Sequence, residues 1–136
     1  MRYLCLDLGE RYIGVALSDT LGMFARPLEV FERTSRAADF AHVIQLGQTH
    51  NVTALVIGLP IQMDGTEGTQ AAWVRNYSES LQQALDLPLH FWDERLTTVE
   101  AEDIMRAQGK KPSKAWIDAV AAAVILQSFL DAQSTN

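Results

Sequence analysis

The stretch Tyr3–Ser18, YLCLDLGERYIGVALS, decides the fold. It holds two short apolar runs, Tyr3–Leu8 and Ile13–Ser18, joined by the link Gly9-Glu10-Arg11-Tyr12. Each run has the length of a buried strand, and so short a link returns the chain antiparallel beside itself as a hairpin. One residue does not suit a core strand. Asp7 interrupts the first run, and a carboxylate without a partner is expensive to bury. The pattern Asp7-x-Gly9-x4-Gly14 follows it, and glycine near a carboxylate lets a phosphate or a metal ion approach the backbone. Taken alone, Asp7 fits equally well as an acceptor for a hydrogen bond or an Arg contact from a neighbouring element.

Working outward, Leu28–Phe31 reads as a third strand, with Arg26-Pro27 at its start. Ser35–Gln48 has apolar residues at Ala37, Phe40, Ala41 and Ile44, which is helical spacing, with Thr34 or Ser35 as N-cap. The β-branched run Thr53–Ile57 reads as a central strand ending at Gly58. A polar loop, Gln62–Gly68, leads to a helix striped by Val74, Tyr77, Leu81 and Leu85. Leu87–Trp92 is a further strand, ending at Asp93-Glu94. Thr97-Thr98-Val99-Glu100 has the form of a capping box for a helix to about Gln108, stopped by Gly109, Lys110-Lys111 and Pro112. A last helix runs from Lys114 to Leu130, with Ser113 as its cap. The order β-β-β-α-β-α-β-α-α predicts an α/β fold. Hairpins give an antiparallel half, strand–helix alternation gives parallel crossovers, and the five-stranded mixed sheet carries helices on both faces.

The 136 residues fit one domain, 1–136, large enough to fold without a disulfide or a structural metal. The balance of 48% hydrophobic and 21% charged residues argues against disorder. Cys5 is the only cysteine, so an internal disulfide is excluded. No basic leader opens the chain and no apolar run is long enough to span a bilayer, so a cytoplasmic protein with no membrane partner is expected. The net charge of −6 weighs against nucleic acid as a partner, since phosphate binding draws on Lys and Arg. A nuclease with this composition must cluster its basic residues locally and let metal ions neutralise part of the acidic surplus.

Two further acidic positions join Asp7. Asp93 and Glu94 stand at the end of a parallel strand, where α/β sheets place their ligands. Strand alternation allows only one of them to share a face with Asp7, and the sequence does not choose. Asp118 lies in Ala115–Leu126, AWIDAVAAAVIL, which is apolar on nearly every side and therefore a buried helix. Ala121 and Ala122 allow that helix close to a sheet, while an ion pair with Lys114 is the alternative use of Asp118. Clustered carboxylates raise one another's pKa, and a divalent cation removes that penalty. Hard oxygen donors suit Mg2+ or Mn2+. In this reading Asp7 bridges two ions, Glu94 (or Asp93) binds one, and Asp118 binds or orients the other, an arrangement suited to phosphodiester hydrolysis. Zinc is disfavoured, because His42, His50 and His90 have no close ligand spacing.

Four stretches carry a family resemblance: LDLGERYIGVALSD (Leu6–Asp19), VIGLPIQMDGTEG (Val56–Gly68), DERLTTVEA (Asp93–Ala101) and IDAVAAAVILQSFL (Ile117–Leu130). In order and almost end to end, the chain resembles the YqgF/RuvX family, which is related to the RuvC-type Holliday-junction resolvases. The resemblance implies an RNase H-like fold, a cytoplasmic bacterial protein and a nuclease that matures the 5′ end of precursor 16S rRNA, with Asp7, Glu94 and Asp118 at the acidic positions proposed as catalytic. Arg11, Arg75, Arg95, Lys110, Lys111 and Lys114 are the basic residues expected to meet nucleic acid, on the ribosome or free. Gly9, Gly14, Gly65 and Gly68 are the positions where a phosphate could approach the backbone. A junction-resolving DNA nuclease, which would need a dimer, and a non-catalytic binding module of the same fold are the alternatives. A nucleotide-dependent kinase or ATPase ranks last, because one domain cannot form its cleft. Monomer and dimer both remain open.

Overall fold

The computed structural model describes residues 1–97, 99–107 and 116–134. The opening stretch forms β1 (Tyr3–Leu8) and β2 (Tyr12–Ser18), paired antiparallel with Asp7 opposite Gly14. At their turn the Gly9 amide donates to the Tyr12 carbonyl at 3.0 Å. β3 (Ala25–Glu32) adds to β2 as an antiparallel edge. Its register slips between Val15 and Ala16, whose partners are Glu29 and Pro27, so Leu28 is the extra residue of a bulge. Edge and bulge are where a sheet tolerates a proline, and Pro27 lies on the edge beside the bulge.

β4 (Ala54–Leu59) lies parallel to β1, and β5 (Leu89–Asp93) parallel to β4, giving the five-stranded order β3-β2-β1-β4-β5. The expected mixed α/β sheet is therefore the observed one. Two crossover helices, α1 (Arg36–Thr49) and α2 (Thr69–Leu85), cover one face. The other face receives α4 (Ile117–Ser134), with Met105 of α3 (Val99–Ala107) in the same core. Pleating sends Leu4, Leu6 and Leu8 into the first core and Cys5 into the second. Asp7 has the parity of Cys5, on the α4 side.

Two details depart from the sequence reading, and a third lies outside the described residues. Ser35 caps α1 by accepting from the Ala38 amide, but Ala37 and Ala41 are exposed, whereas Asp39, Val43 and Leu46 are buried. The helix is turned so that Asp39 accepts from the Tyr77 hydroxyl at 2.9 Å and the Thr34 amide at 3.1 Å. Thr97, at the head of the expected capping box, is the C-cap of a 3-10 turn, and its neighbour Thr98 lies outside the described residues. The Thr97 hydroxyl donates to the Glu94 carbonyl at 3.0 Å and closes that turn, Glu94–Leu96. The stop around Gly109–Pro112 and the Ser113 cap lie outside the described residues. No helix of the described residues is long and apolar enough to cross a membrane.

A candidate carboxylate active site

β1 is the middle strand of five, so Asp7 near its carboxyl end is flanked by β2 and β4. Both neighbours have glycine at the level of Asp7. A Cβ on Gly14 would come within 1.9 Å of the Asp118 carbonyl oxygen. The missing side chain is what lets the first turn of α4 rest on β2 and bring Asp118 beside Asp7. A Cβ on Gly58 of β4 would meet a Glu94 carboxyl oxygen at 2.8 Å. That gap is filled by the Glu94 side chain reaching across β4. Glycine inside a strand often marks such a close approach.

The two adjacent acids at the end of β5 diverge. Asp93 accepts from the Arg95 amide at 2.9 Å and takes the Arg95 guanidinium, with Nη2 donating at 2.7 Å. Glu94 turns the other way and hydrogen-bonds Asp7. Two carboxyl groups can share a hydrogen bond only if one keeps a proton. Burial, together with the negative charge of Asp7, pushes Glu94 up to about 7. Asp7 is also raised, by burial first and then by the charge of Asp118, while its hydrogen bond with Glu94 opposes the shift. The arginine-held Asp93 is lowered instead. Burial also pushes the Cys5 thiol up, two residues before Asp7, and makes it a poor nucleophile.

Two of the three expected acids, Asp7 and Glu94, therefore pair, and the third, Asp118, acts on Asp7 through its charge. Among the described residues no group of three acidic, His or Cys side chains is gathered closely enough to grip a metal ion. The donor chemistry nonetheless fits a hard divalent ion: two oxygen donors in contact, a third near, and a shared proton that a cation would displace. Glu94 opens into a cleft of about 590 Å3 between the Pro60–Met63 loop, Gln70 and Arg95.

The other expected site residues are placed differently. Gly14 faces the backbone of α4, and Gly9 forms the β1–β2 turn, where a Cβ would lie 2.7 Å from the Tyr12 carbonyl. Gly65 has φ +87°, a left-handed turn position, and Gly68 is pressed by the Gln62 side chain. Arg11 pairs with Glu32 at 3.5 Å, Arg75 with Glu67 at 2.6 Å and Arg95 with Asp93, so each has an acidic partner within the protein. Lys110, Lys111 and Lys114 lie outside the described residues. Sequence reasoning missed Arg33, which bonds the Gly9 and Glu10 carbonyls at 3.0 and 2.7 Å, and it missed the role of Gly58. A glycine within the fully buried run Ala54–Leu59 was the available signal for the latter.

The RuvX family model, described as Holliday junction resolvase, matches residues 1–132. The chain belongs to this RuvX family. A protein of Roseiflexus sp. strain RS-1 named "Putative pre-16S rRNA nuclease" is 46% identical over 134 residues, covering 97% of this chain and 95% of its own length. One of the same name from Thermoanaerobacter pseudethanolicus is 41% identical, with both chains fully covered. Among solved structures, Thermus thermophilus RuvC in complex with a Holliday junction substrate superposes with a TM-score of 0.63 over 98% of this RuvX-family chain and 96% of its own, at 15% identity. The yeast mitochondrial Holliday junction resolvase Ydc2 gives 0.57 over 97% and 78%, at 13% identity. At such identities the likeness concerns the fold, which is the RNase H-like fold of these resolvases.

Proposed function

We propose that this RuvX-family chain hydrolyses phosphodiester bonds of structured RNA, with the 5′ end of precursor 16S rRNA as its substrate and Mg2+ or Mn2+ as its cofactor. The observation that carries the reading is the Asp7–Glu94 carboxyl pair, hydrogen-bonded at the carboxyl edge of the sheet, with Glu94 open to a cleft. A fold gains little stability from placing two acids in contact. An Asp39-type arrangement, with hydroxyl and amide donors, serves a purely structural carboxylate better.

Asp7, Glu94 and Asp118 are the residues that would hold the ion, which when bound supplies charge stabilisation at the phosphate and a more acidic water. The chain's own part is to fix these carboxylates. Gly58 leaves room for Glu94, and Gly14 sets the height of Asp118. The Arg95 fork holds Asp93 aside, so that only one acid of the pair enters the site. Glu94, holding its proton up to about pH 7 before an ion binds, must lose it for ligation, so ion binding should strengthen as pH rises.

Purified protein is incubated with a transcript spanning the 5′ end of 16S rRNA and its upstream extension, with Mg2+, Mn2+ or EDTA, and the cuts are mapped. Cleavage by the native protein that EDTA stops and Asp7→Asn removes is the expected result. Equal cleavage by Asp7→Asn would sink the proposal. A synthetic four-way DNA junction in the same assay reads the resolvase alternative, and preferential cutting of it would replace RNA as the substrate.

A further inference from the structure

We infer that a second pocket, on the opposite face of the sheet edge from Asp7, takes the base of an unpaired nucleotide next to the bond to be cut. The inference rests on the nuclease reading and deepens it. The pocket holds about 440 Å3 between the β1–β2 turn (Gly9, Glu10), Arg33 just after β3, and the start of α2 (Thr69, Gln70, Trp73). That volume lies within the ~300–1,000 Å3 usual for small-ligand sites.

Three features select a planar, hydrogen-bonding ligand. The Arg33 guanidinium carbon lies over the Trp73 ring, 4.2 Å from its centre, as a cation above an indole. Its Nη1 is tied to the Gly9 and Glu10 carbonyls at 3.0 and 2.7 Å, which holds the plane in place. Among the described residues Nε and Nη2 have no acceptor, and Arg33 has no acidic partner, unlike Arg11, Arg75 and Arg95. A fixed arginine plane with free donors beside an indole is a stacking surface for a nucleobase. Glu10 on the rim disfavours a bare phosphate and can accept from an exocyclic amine.

Position links the pocket to the chemistry. Gln70 lines both this pocket and the cleft that contains Glu94 and Arg95. A strand whose phosphate lies in the Glu94 cleft therefore passes Gln70 and can set a neighbouring base against Arg33 and Trp73. Such a base must be unstacked, so the pocket favours single-stranded or splayed RNA over a continuous duplex.

The test uses the full chain carrying Asp7→Asn, which prevents cutting, and measures binding of fluorescein-labelled hexauridylate and of the same ribose-phosphate hexamer without bases. Stacking predicts that the bases strengthen binding about tenfold. Trp73→Ala added to Asp7→Asn should erase that advantage. Because Trp73 also packs on Tyr77, Thr69→Leu, which fills the pocket from an exposed position without adding an aromatic face, provides a second variant and should erase it as well. A base advantage that survives both variants, or equal binding of the two hexamers to Asp7→Asn, overturns the pocket. Binding of neither hexamer overturns it also. Cleavage of the precursor transcript by the native protein, run alongside, reads the nuclease proposal separately.

Discussion

Asp7 and Asp39 are both carboxylates drawn out of water, and they are treated in opposite ways. Asp39 is 3% exposed, and its oxygens accept from the Tyr77 hydroxyl and the Thr34 amide. Arg33 and Arg36 stack near the same tyrosine ring. The partners of the Asp39 oxygens are donors, with cations near by, and the Tyr77 hydroxyl is raised by burial and by the carboxylate it bonds. Asp7 instead meets a second carboxyl group and the charge of a third. The two sites show that burial alone does not mark a functional acid. Its complement does: donors around a structural carboxylate, other acids around one that awaits a cation.

The largest effect expected from this contrast is on activity. Asp7→Asn should lower cleavage by about 10³-fold, roughly 4 kcal/mol of barrier, while circular dichroism stays native. Asp39→Ala should leave the rate per folded molecule within about twofold. If both variants lose activity equally, the contrast is broken.

Gly58→Ala comes next. Its methyl would take the space of a Glu94 oxygen at 2.8 Å and of the Ile125 side chain at 2.9 Å, so Glu94 must shift. A displacement on the order of 1 Å is expected to cost about 10²-fold in cleavage. Native activity in Gly58→Ala would show that Glu94 need not occupy this place.

The third effect is on stability. Asp39→Ala leaves the buried Tyr77 hydroxyl without its acceptor, at a cost of about 1–3 kcal/mol in urea denaturation. Asp7→Asn should be neutral or stabilising in metal-free protein, since it removes a charge from a repelling cluster. A loss of stability in Asp7→Asn matching that in Asp39→Ala would make Asp7 a structural acid too.

The smallest effect is on pH dependence. Glu94 binds its proton more tightly folded, at about 7, than an unfolded glutamate near 4.5. The stability linked to that proton is whole below pH 4.5 and is lost as pH rises through 7. Metal-free protein should therefore melt a few degrees lower at pH 8 than at pH 5.5, and Glu94→Gln should flatten the difference. A Glu94→Gln profile that parallels the native one would assign the slope to other groups.

Much of this was legible in the chain before any contact was known. The runs YLCLDL and IGVALS, their short link and the later alternation of strands with helices announced the mixed sheet, because periodicity and turn length are local properties. Asp7 in an apolar strand and Asp118 in an apolar helix were visible as misfits for the same reason. The α1 face was misread because its deciding contact, Asp39 with Tyr77, spans 38 positions. The ion pairs of Arg11, Arg75 and Arg95 with Glu32, Glu67 and Asp93 went unread because they reveal themselves only through side-chain geometry.

The sequence by itself determined the order of elements and which carboxylates stand out of place, since both follow from short-range pattern and the cost of burying charge. Only the tertiary structure decided that Glu94 rather than Asp93 turns toward Asp7, that Gly14 and Gly58 are clearances for Asp118 and Glu94, and that Arg33 lies over Trp73. Each of these is a separation of a few ångströms between segments joined by long stretches of chain, or a choice between neighbouring side chains, and such distances are set by packing.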